Sequence, residues 1–128
     1  MPRTTKFLAL KKVIDTLHGP KGCPWDKKQT HQSLLKYLKE ESAEFIAEVK
    51  QRDYEKMKDE LGDILLQVLF HAKIAEKNGR FDIDDVIDAL TRKLKRRHPH
   101  VFGSIKVDSV RQVLHNWRAI KAAEKQRR

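Results

Sequence analysis

The sequence predicts an all-α fold, and three observations favour an antiparallel helical bundle within that class. Apolar side chains recur every three or four residues along most of the chain, which is the spacing of one helical face. Only five glycines and four prolines occur in 128 residues, fewer than a sandwich of short strands needs for its turns. The predicted helices are joined by short turns, so that sequence neighbours run antiparallel.

The spacing predicts five helices. Their spans are about 5–17, 27–50, 54–77, 82–98 and 109–123. Asp26 is the expected N-cap of the second helix, because its carboxylate can accept hydrogen bonds from the first free backbone N–H groups. Glycine and proline are concentrated over 19–26, and we expect no regular structure there. A second loop is expected from His98 to Gly103, and the residues after Ala123 are expected to fray.

The length predicts one domain over residues 1–128, with a short basic tail from about residue 122. A chain of this size buries only a small core, so we expect oligomerisation to complete it. The single cysteine, Cys23, excludes an intrachain disulfide and favours a reducing cytoplasm. No stretch reaches the roughly 18 consecutive apolar residues of a membrane span, and no signal peptide is evident. We therefore predict a cytoplasmic protein with no membrane partner.

Positive charge is concentrated in two short runs. The formal net charge is +10, and such an excess attracts polyanions without distinguishing DNA, RNA or a triphosphate. The runs are Arg92–Arg97 and Lys125–Arg128, whereas the middle of the chain is acidic. A basic nucleic-acid-binding helical module without catalysis is therefore an alternative. No recognised DNA- or RNA-reading motif supports it, which makes nucleic acid an unlikely partner.

Acidic residues of the second and third predicted helices form two groups with similar spacing. At about 100° per residue, Glu41 and Glu44 lie along one edge of an apolar stripe, and Glu40 lies further round toward solvent. Glu60 and Asp63 lie in a segment that is otherwise apolar on almost every side, as in a helix inside a bundle. A buried carboxylate is costly unless it meets a cation or takes up a proton.

The short turn between these two helices can bring the two acidic groups face to face. Gly62 leaves room between Glu60 and Asp63, and four facing carboxylates repel one another unless a multivalent cation lies among them. Oxygen-only ligation selects Mg²⁺, Mn²⁺ or Ca²⁺ over Zn²⁺. Iron is disfavoured, because neither group has the Glu-x-x-His spacing of di-iron bundles. The alternative is an ordinary charged surface for Glu44 and a salt bridge to a lysine for Glu60.

Four sequence blocks resemble those of a known family and stand in the same order. They are Gly22-Cys23-Pro24-Trp25-Asp26, Glu40-Glu41-Ser42-Ala43-Glu44, Glu60-Leu61-Gly62-Asp63 and Arg96-Arg97-His98-Pro99-His100-Val101-Phe102. Together they closely resemble the MazG family of all-α nucleoside triphosphate pyrophosphohydrolases, over roughly residues 5 to 121. The acidic blocks are diagnostic only in combination, whereas the first and last blocks make the resemblance specific.

The resemblance implies a reaction, a cofactor and an assembly. The reaction is Mg²⁺-dependent hydrolysis of a (d)NTP between its α- and β-phosphates, which gives a (d)NMP and pyrophosphate and serves to clean the nucleotide pool. By the family's motif, Glu41, Glu44, Glu60 and Asp63 would hold Mg²⁺, with Mn²⁺ as a substitute. The family assembles as homodimers or larger homo-oligomers, and many members carry two copies of the domain where this chain carries one.

Phosphoryl transfer to water needs charge neutralisation and positioning more than covalent chemistry. We expect catalysis to rest on Glu40, Glu41 and Glu44, with Glu40 or Glu44 as the group that takes a proton from water. The expected substrate-binding residues are Tyr37, Lys58, Lys93, Arg96, Arg97 and Trp117, because cations suit phosphate oxygens and an indole can stack on a base. The resemblance favours Lys93 and Trp117 near the nucleotide.

Each of these assignments has a structural alternative. Trp117 extends the apolar stripe of the last helix and is equally suited to the core. The arginines near the end of the fourth helix are also typical of a solvated helix end, where they complement the helix dipole. For His71 we favour a hydrogen-bonded core position over a supporting role at the metal site. A helical interaction protein with a degenerate metal site is the remaining alternative for the whole chain.

Overall fold

The chain is helical through most of the part that the structure describes, which in this computed structural model is the backbone of residues 3–127 and the side chains of residues 5–127. Helices follow one another as α1 (Arg3–Leu17), α2 (Pro24–Lys28), α3 (His31–Gln51), α4 (Tyr54–Lys77), α5 (Ile83–Arg97), α6 (Pro99–Phe102) and α7 (Val110–Gln126). No strand occurs within residues 3–127, which confirms the all-α prediction. None of these described helices is long and apolar enough to cross a bilayer.

The chain divides into two compact units at the start of α5, one up to Ile83 and one from Asp84 onward. We call them the N-terminal unit and the C-terminal unit, and each is described by itself. The expectation of a single domain over residues 1–128 stays a prediction. The terminal residues of that span, Met1, Pro2 and Arg128, lie outside the described residues, including the last residue of the predicted basic tail.

The loop predicted over 19–26 contains a short helix, so that expectation was wrong. Helix α2 begins at Pro24, where the missing N–H of proline costs nothing because the first N–H groups of a helix have no partner inside it. Asp26 therefore lies inside α2 and is not the N-cap of the long helix. Thr30 takes that place, and it forms a capping box with Ser33 in which each side chain accepts from the other residue's backbone N–H.

A two-residue turn joins α3 and α4 into an antiparallel hairpin, the closest helix pair of the N-terminal unit. Arg52 ends α3 in the left-handed region, with φ 58°, and is the only described non-glycine residue with positive φ. Asp53 then caps α4, because its carboxylate accepts from the backbone N–H of Lys56 at 3.1 Å. The turn is short enough to keep residues equally distant from it on the two helices side by side.

The core of the N-terminal unit lies around the second half of α4. The buried apolar residues of this half are Leu69, Phe70, Ala72, Ile74 and Ala75. Leu34 of α3, Ile14 of α1 and Ile83 complete the core, and an ion pair between Lys73 and Asp15 at 3.0 Å holds α1 near α4. Helix α1 ends against a tight turn, in which Cys23 donates its N–H to the carbonyl of Leu17 at 2.8 Å.

Apolar side chains between Leu61 and Val68 of α4 are partly exposed, and this corrects the expectation that the apolar segment around Glu60 and Asp63 lies inside the bundle. Leu61, Leu65 and Val68 are 51%, 40% and 40% exposed in the single chain. On α3, the neighbouring helix of the hairpin, Leu35 and Ile46 are also more than half exposed. One chain therefore leaves a row of large apolar side chains in contact with water.

The C-terminal unit contains most of α5 and all of α6 and α7. Helix α6 occupies part of the expected loop from His98 to Gly103, again with proline at its first position. Ser109 caps α7 by accepting from the N–H of Gln112 at 3.2 Å. Helix α7 continues to Gln126, beyond the point where we expected fraying.

Candidate metal centre

Three carboxylates meet between α3 and α4. Glu41 of α3 and Glu60 and Asp63 of α4 each offer an oxygen, and these oxygens all lie within 4.8 Å of one another. The hairpin explains the meeting, because the acidic residues of both helices lie about ten residues from the Arg52 turn. At about 1.5 Å per residue they therefore stand at the same height on neighbouring helices. We call these three residues the acidic cluster.

The acidic cluster is partly buried, and two of its carboxylate oxygens have no hydrogen-bond donor within residues 5–127. Glu41 and Glu60 are both half-buried, and the Oε2 atom of each is inaccessible to solvent. Within the described part of the chain, neither atom has a hydrogen-bond partner. When both are ionised, Glu41 and Glu60 can accept but not donate, so a hydrogen bond between them forms only when one of them holds a proton. A buried acceptor without a donor costs free energy, and a bound cation or a proton would relieve it.

Protonation equilibria reflect the same shortage of positive charge. Burial raises the pKa of Glu41 to about 7, and the hydrogen bond with Glu60 and the charges of Asp63 and Glu44 act in the same direction. Burial also raises the pKa of Glu60, which the bond with Glu41 opposes and Glu44 reinforces. A proton shared between Glu41 and Glu60 therefore offsets part of the repulsion when no cation is bound.

The other two predicted carboxylates differ in their relation to the cluster. Glu44 is exposed, one turn after Glu41 on α3, and its charge acts on both Glu41 and Glu60. It therefore borders the acidic cluster without contributing an oxygen to the group within 4.8 Å. Glu40 is exposed and lies about 100° around α3 from Glu41, on the side that the sequence predicts.

The donor set fits a hard divalent cation. Carboxylate oxygen is the only ligand type in the cluster, which suits Mg²⁺ or Mn²⁺ and offers nothing to the softer metals. The Oε2 atoms of Glu41 and Glu60, one on each helix, are buried acceptors without a hydrogen-bond partner in the part of the chain that the structure describes, and a cation would satisfy both. Gly62 plays no part in this fit: a Cβ at that position would meet nothing within 4 Å, so the absence of its side chain does not make room for the cluster.

Comparison with known proteins places the chain in a family. Residues 29–102, more than half of the chain, match the model of the MazG nucleotide pyrophosphohydrolase domain. The chain belongs to the MazG family. This match spans three of the four blocks on which the sequence resemblance rested, whereas the block Gly22–Asp26 precedes it.

Two curated proteins and one solved structure show how much of the MazG domain is shared. The chain is 50% identical over 119 residues to the nucleoside triphosphate pyrophosphohydrolase/pyrophosphatase MazG of Thermotoga maritima, covering 93% of this chain and 45% of that protein. It is 40% identical over 114 residues to the nucleoside triphosphate pyrophosphohydrolase of Escherichia coli (strain K12), covering 88% and 43%. The chain thus spans less than half the length of both relatives.

The solved structure supports the fold. It is the crystal structure of a MazG-related protein from Thermotoga maritima, which is 27% identical to this chain. The alignment covers 91% of this chain and 98% of that one, with a TM-score of 0.72. The all-helical MazG architecture is therefore shared across nearly the whole chain.

Two predicted substrate residues of this MazG domain lie on α3 and α4, in different settings. Tyr37 lies one turn before Glu41, is half-buried, and meets the ring of Trp25 edge-on at 5.7 Å between centroids. Lys58 points to solvent and pairs with Glu55 of its own helix at 2.7 Å. It lies about 160° around α4 from Glu60, so the structure does not bring it to the acidic cluster.

The remaining predicted substrate residues belong to the C-terminal unit of the MazG domain. Arg96 and Arg97 both pair with Glu124 of α7, at 2.6 and 2.9 Å. The guanidinium of Arg97 also lies over the ring of Trp117, 5.2 Å from its centroid. Lys93 is half-buried, one turn before Arg97 on α5. Trp117 is itself half-buried, so it combines packing with an accessible ring portion.

A histidine pair supports the hairpin at the end far from its turn. The Nδ1 atoms of His31 and His71 lie 2.8 Å apart, and their rings are stacked with 5.0 Å between centroids. Burial lowers the pKa of His71, and the charge of His31 adds to the effect. His71 is hydrogen-bonded, as expected, but it is half-buried and does not belong to the fully buried residues of the core.

Glu124 is the residue of the C-terminal unit that sequence reasoning missed. Its interaction with the two arginines lowers its pKa to about 2, chiefly through the hydrogen bond from Arg97 and then that from Arg96. A signal was present: Glu124 is the only acidic residue of α7 and lies seven positions after Trp117, two turns along the same face. An isolated carboxylate in a basic helix predicts a cationic partner.

Proposed function

We propose that the chain is a Mg²⁺-dependent nucleoside triphosphate pyrophosphohydrolase that cleaves a (d)NTP to a (d)NMP and pyrophosphate. The observation that carries this proposal is the acidic cluster, with three carboxylate oxygens within 4.8 Å and two buried oxygens that lack donors. The names of the two MazG relatives add support, since both state this reaction class. A role in removing aberrant nucleotides from a cytoplasmic pool would follow from such an activity.

The side chains that would hold Mg²⁺ are Glu41, Glu60 and Asp63, with Glu44 at their border. When bound, Mg²⁺, or Mn²⁺ in its place, neutralises charge on phosphate oxygens and lowers the pKa of water. The half-buried setting of Glu41 and Glu60 strengthens their attraction to a cation, because water screens their charges less than at an open surface. Their placement on two packed helices fixes them before substrate arrives.

We assign to Glu44 the removal of a proton from the attacking water. Its side chain is exposed and therefore accessible to water, and its charge is felt by both Glu41 and Glu60. Glu40 is the alternative, but it lies about 100° around α3 from Glu41, whereas Glu44 lies only about 60° away. The variants Glu44→Gln and Glu40→Gln separate the two, since loss of the base lowers kcat and flattens the rise of rate with pH.

The chemistry of their side chains supports several residues as candidates to bind the nucleotide. Lys93, Arg96 and Arg97 supply donors for phosphate oxygens, and Trp117 offers a face on which a base can stack. Tyr37 lies on the row of α3 that carries Glu41 and would contact sugar or phosphate. Lys58 has the weakest support, because Glu55 already neutralises it on the solvent side of α4.

A second copy of the chain is the partner we propose for the exposed apolar row on the hairpin. Leu35 and Ile46 of α3 and Leu61 of α4 are each more than half exposed, and apolar side chains in such a row are stabilised by removal from water. A homodimer, or a larger homo-oligomer, would bury them beside the acidic cluster. Light scattering of the purified chain tests this, and a monomer at micromolar concentration would contradict it.

The activity is tested by incubating purified protein with a panel of ribo- and deoxyribonucleoside triphosphates and Mg²⁺. We expect monophosphate and pyrophosphate in equal amounts and no inorganic phosphate. Glu60→Gln should lower kcat/KM roughly 100-fold or more, whereas the matched control Glu76→Gln, an exposed carboxylate of the same helix paired with Lys73, should retain activity. Absence of turnover with both Mg²⁺ and Mn²⁺ would refute the proposal, and salt-sensitive binding to duplex DNA without hydrolysis would favour the nucleic-acid-binding alternative.

A further inference from the structure

Two neighbouring arginines of α5 converge on one carboxylate. Adjacent residues of a helix point about 100° apart, so Arg96 and Arg97 would diverge if nothing drew them together, and their like charges would favour that divergence. Instead, Nε of Arg96 donates to Oε2 of Glu124 at 2.6 Å, and Nη2 of Arg97 donates to Oε1 at 2.9 Å. Glu124 therefore holds the two guanidinium groups on the same side of α5.

The pairing with Glu124 leaves N–H donors of the two arginines without identified partners in the described chain and leaves part of their positive charge uncompensated. Each guanidinium has five N–H donors, and each gives only one identified hydrogen bond to Glu124. Nε of Arg97 is buried and has no partner among the described residues. Two arginines and one carboxylate also leave a net charge of +1, so the group still attracts an anion after Glu124 is counted.

Helix α7 fixes Arg97 from two directions. Trp117 and Glu124 lie two turns apart on one face of α7, and both contact Arg97, one through its ring and one through its carboxylate. The side chains of Arg97 and Glu124 are each only 15% exposed, whereas that of Arg96 is 45% exposed. Arg97 is thus the fixed member of the pair and Arg96 the member open to solvent.

We propose that Glu124 is a positioning residue that holds Arg96 and Arg97 together as a preformed clamp for the phosphates of the substrate and for the pyrophosphate product. This inference rests on the proposed function in so far as it assigns phosphate binding to the two arginines. Ordering two long side chains in advance lowers the entropy that binding must otherwise cost. Glu124 itself touches neither substrate nor product.

A role of Glu124 through its charge and a role through positioning predict opposite changes in anion affinity when Glu124 is replaced, which makes the inference testable. Replacing Glu124 by Gln raises the net charge of the group from +1 to +2, so by charge alone an anion should bind more tightly. If Glu124 acts by positioning, the same substitution should weaken binding. The probe is inorganic pyrophosphate without metal, titrated calorimetrically into the full chain, so the result does not depend on catalysis or on the acidic cluster.

We expect Glu124→Gln to weaken pyrophosphate binding roughly tenfold and Glu124→Asp, which keeps the charge, to restore part of the affinity. The matched control Glu76→Gln removes the same charge from the Lys73 ion pair and should leave binding unchanged. In turnover assays, KM for the triphosphate should rise about tenfold while kcat stays within about twofold.

Three outcomes would overturn the inference. Tighter pyrophosphate binding by Glu124→Gln would mean that Glu124 competes with phosphate. Unchanged affinity with a lower Tm would mean that Glu124 only joins α5 to α7. Failure of the wild-type chain to bind pyrophosphate would mean that the arginines are not an anion site. Absence of NTP turnover with normal pyrophosphate binding would contradict the proposed function alone, and circular dichroism of each variant checks that it is folded.

Discussion

The protein contains two clusters of like charge, which differ in whether a counterion from the chain accompanies them. The acidic cluster of Glu41, Glu60 and Asp63 has no cationic partner among the described residues, and burial with mutual repulsion raises the pKa of Glu41 to about 7. The arginine pair of α5 has its own counterion, Glu124, whose pKa is lowered to about 2. A cluster left unbalanced is suited to bind an ion from solution, whereas a balanced cluster is held in shape by the chain itself.

The largest expected effect comes from removing one charge of the acidic cluster. Glu60→Gln should lower kcat/KM roughly 100-fold or more, because a bound cation would lose a ligand and its charge stabilisation at the phosphates. The same variant should have a higher Tm than the wild type when metal is absent, since repulsion within the cluster falls. Steady-state kinetics and calorimetry in EDTA measure the two effects, and a lower Tm would show that the cluster is not strained by repulsion.

Cation binding should stabilise the wild-type chain by mass action. At Mg²⁺ tenfold above its dissociation constant the gain is about 1.4 kcal/mol, which for a chain of this size raises Tm by roughly 3–6 °C. Glu60→Gln should lose most of this gain, whereas Glu124→Gln should keep it. An equal gain in all three proteins would place the stabilising ion outside the acidic cluster.

Acid should act on the arginine pair through Glu124. Because the pKa of Glu124 is lower in the folded chain than its ordinary 4.5, its contribution is fully present above pH 4.5 and is lost as the pH falls toward 2. The difference in urea midpoint between wild type and Glu124→Gln should therefore be constant above pH 5 and shrink below pH 4.5. A difference that persists unchanged at pH 3 would contradict an ionic role for Glu124.

Histidines also make stability depend on pH, and comparison of wild type with Glu124→Gln removes this shared contribution. Burial lowers the pKa of both His18 and His71 from 6.5, so the unfolded chain binds more protons than the folded one once the pH falls below that value. Protonation of these histidines should accordingly lower stability as the pH falls below about 6.5, whereas the raised pKa values of Glu41 and Glu60 act in the opposite direction, and both contributions are shared by wild type and variant. Only the difference between the two proteins reports on Glu124.

The smallest expected effect concerns Gly62, which lies between two residues of the acidic cluster. A Cβ there meets nothing within 4 Å, and alanine in a helix interior is more stable than glycine by roughly 0.5–1 kcal/mol. Gly62→Ala should therefore raise Tm by a few degrees and leave the response to Mg²⁺ unchanged. Loss of catalysis without loss of metal binding would indicate that substrate passes close to Gly62.

The sequence was sufficient to predict the long helices and the meeting of α3 with α4, because both follow from local periodicity and a short turn. Helix α4 was predicted over Tyr54–Lys77 and is observed there. Helices α2 and α6 were missed because each begins with proline in a segment whose glycine and proline content resembles a loop. Composition does not distinguish a proline at the first helical position from one in a turn.

Placement of individual site residues was harder to predict, because it depends on side-chain partners from distant parts of the chain. Glu41 and Glu60 could be paired from the hairpin, since they belong to neighbouring helices and lie at similar distances from one turn. Glu124 could not, because it lies 27 residues after Arg97 and no periodicity links α5 with α7. Leu61 belongs to an apolar segment that the sequence alone does not distinguish from core. An apolar side chain that is buried only in an assembly gives the same sequence pattern as one that is buried within a single chain.

The distribution of aromatic residues gives each unit its own optical reporter. The chain has two tryptophans, Trp25 in the N-terminal unit and Trp117 in the C-terminal unit. Their surroundings differ: Trp25 is 48% exposed beside Tyr37, whereas Trp117 lies against His98 and Arg97. Single-tryptophan chains made by Trp25→Phe or Trp117→Phe therefore follow the emission of one unit at a time, and coincident denaturation curves would identify the two units as one cooperative body.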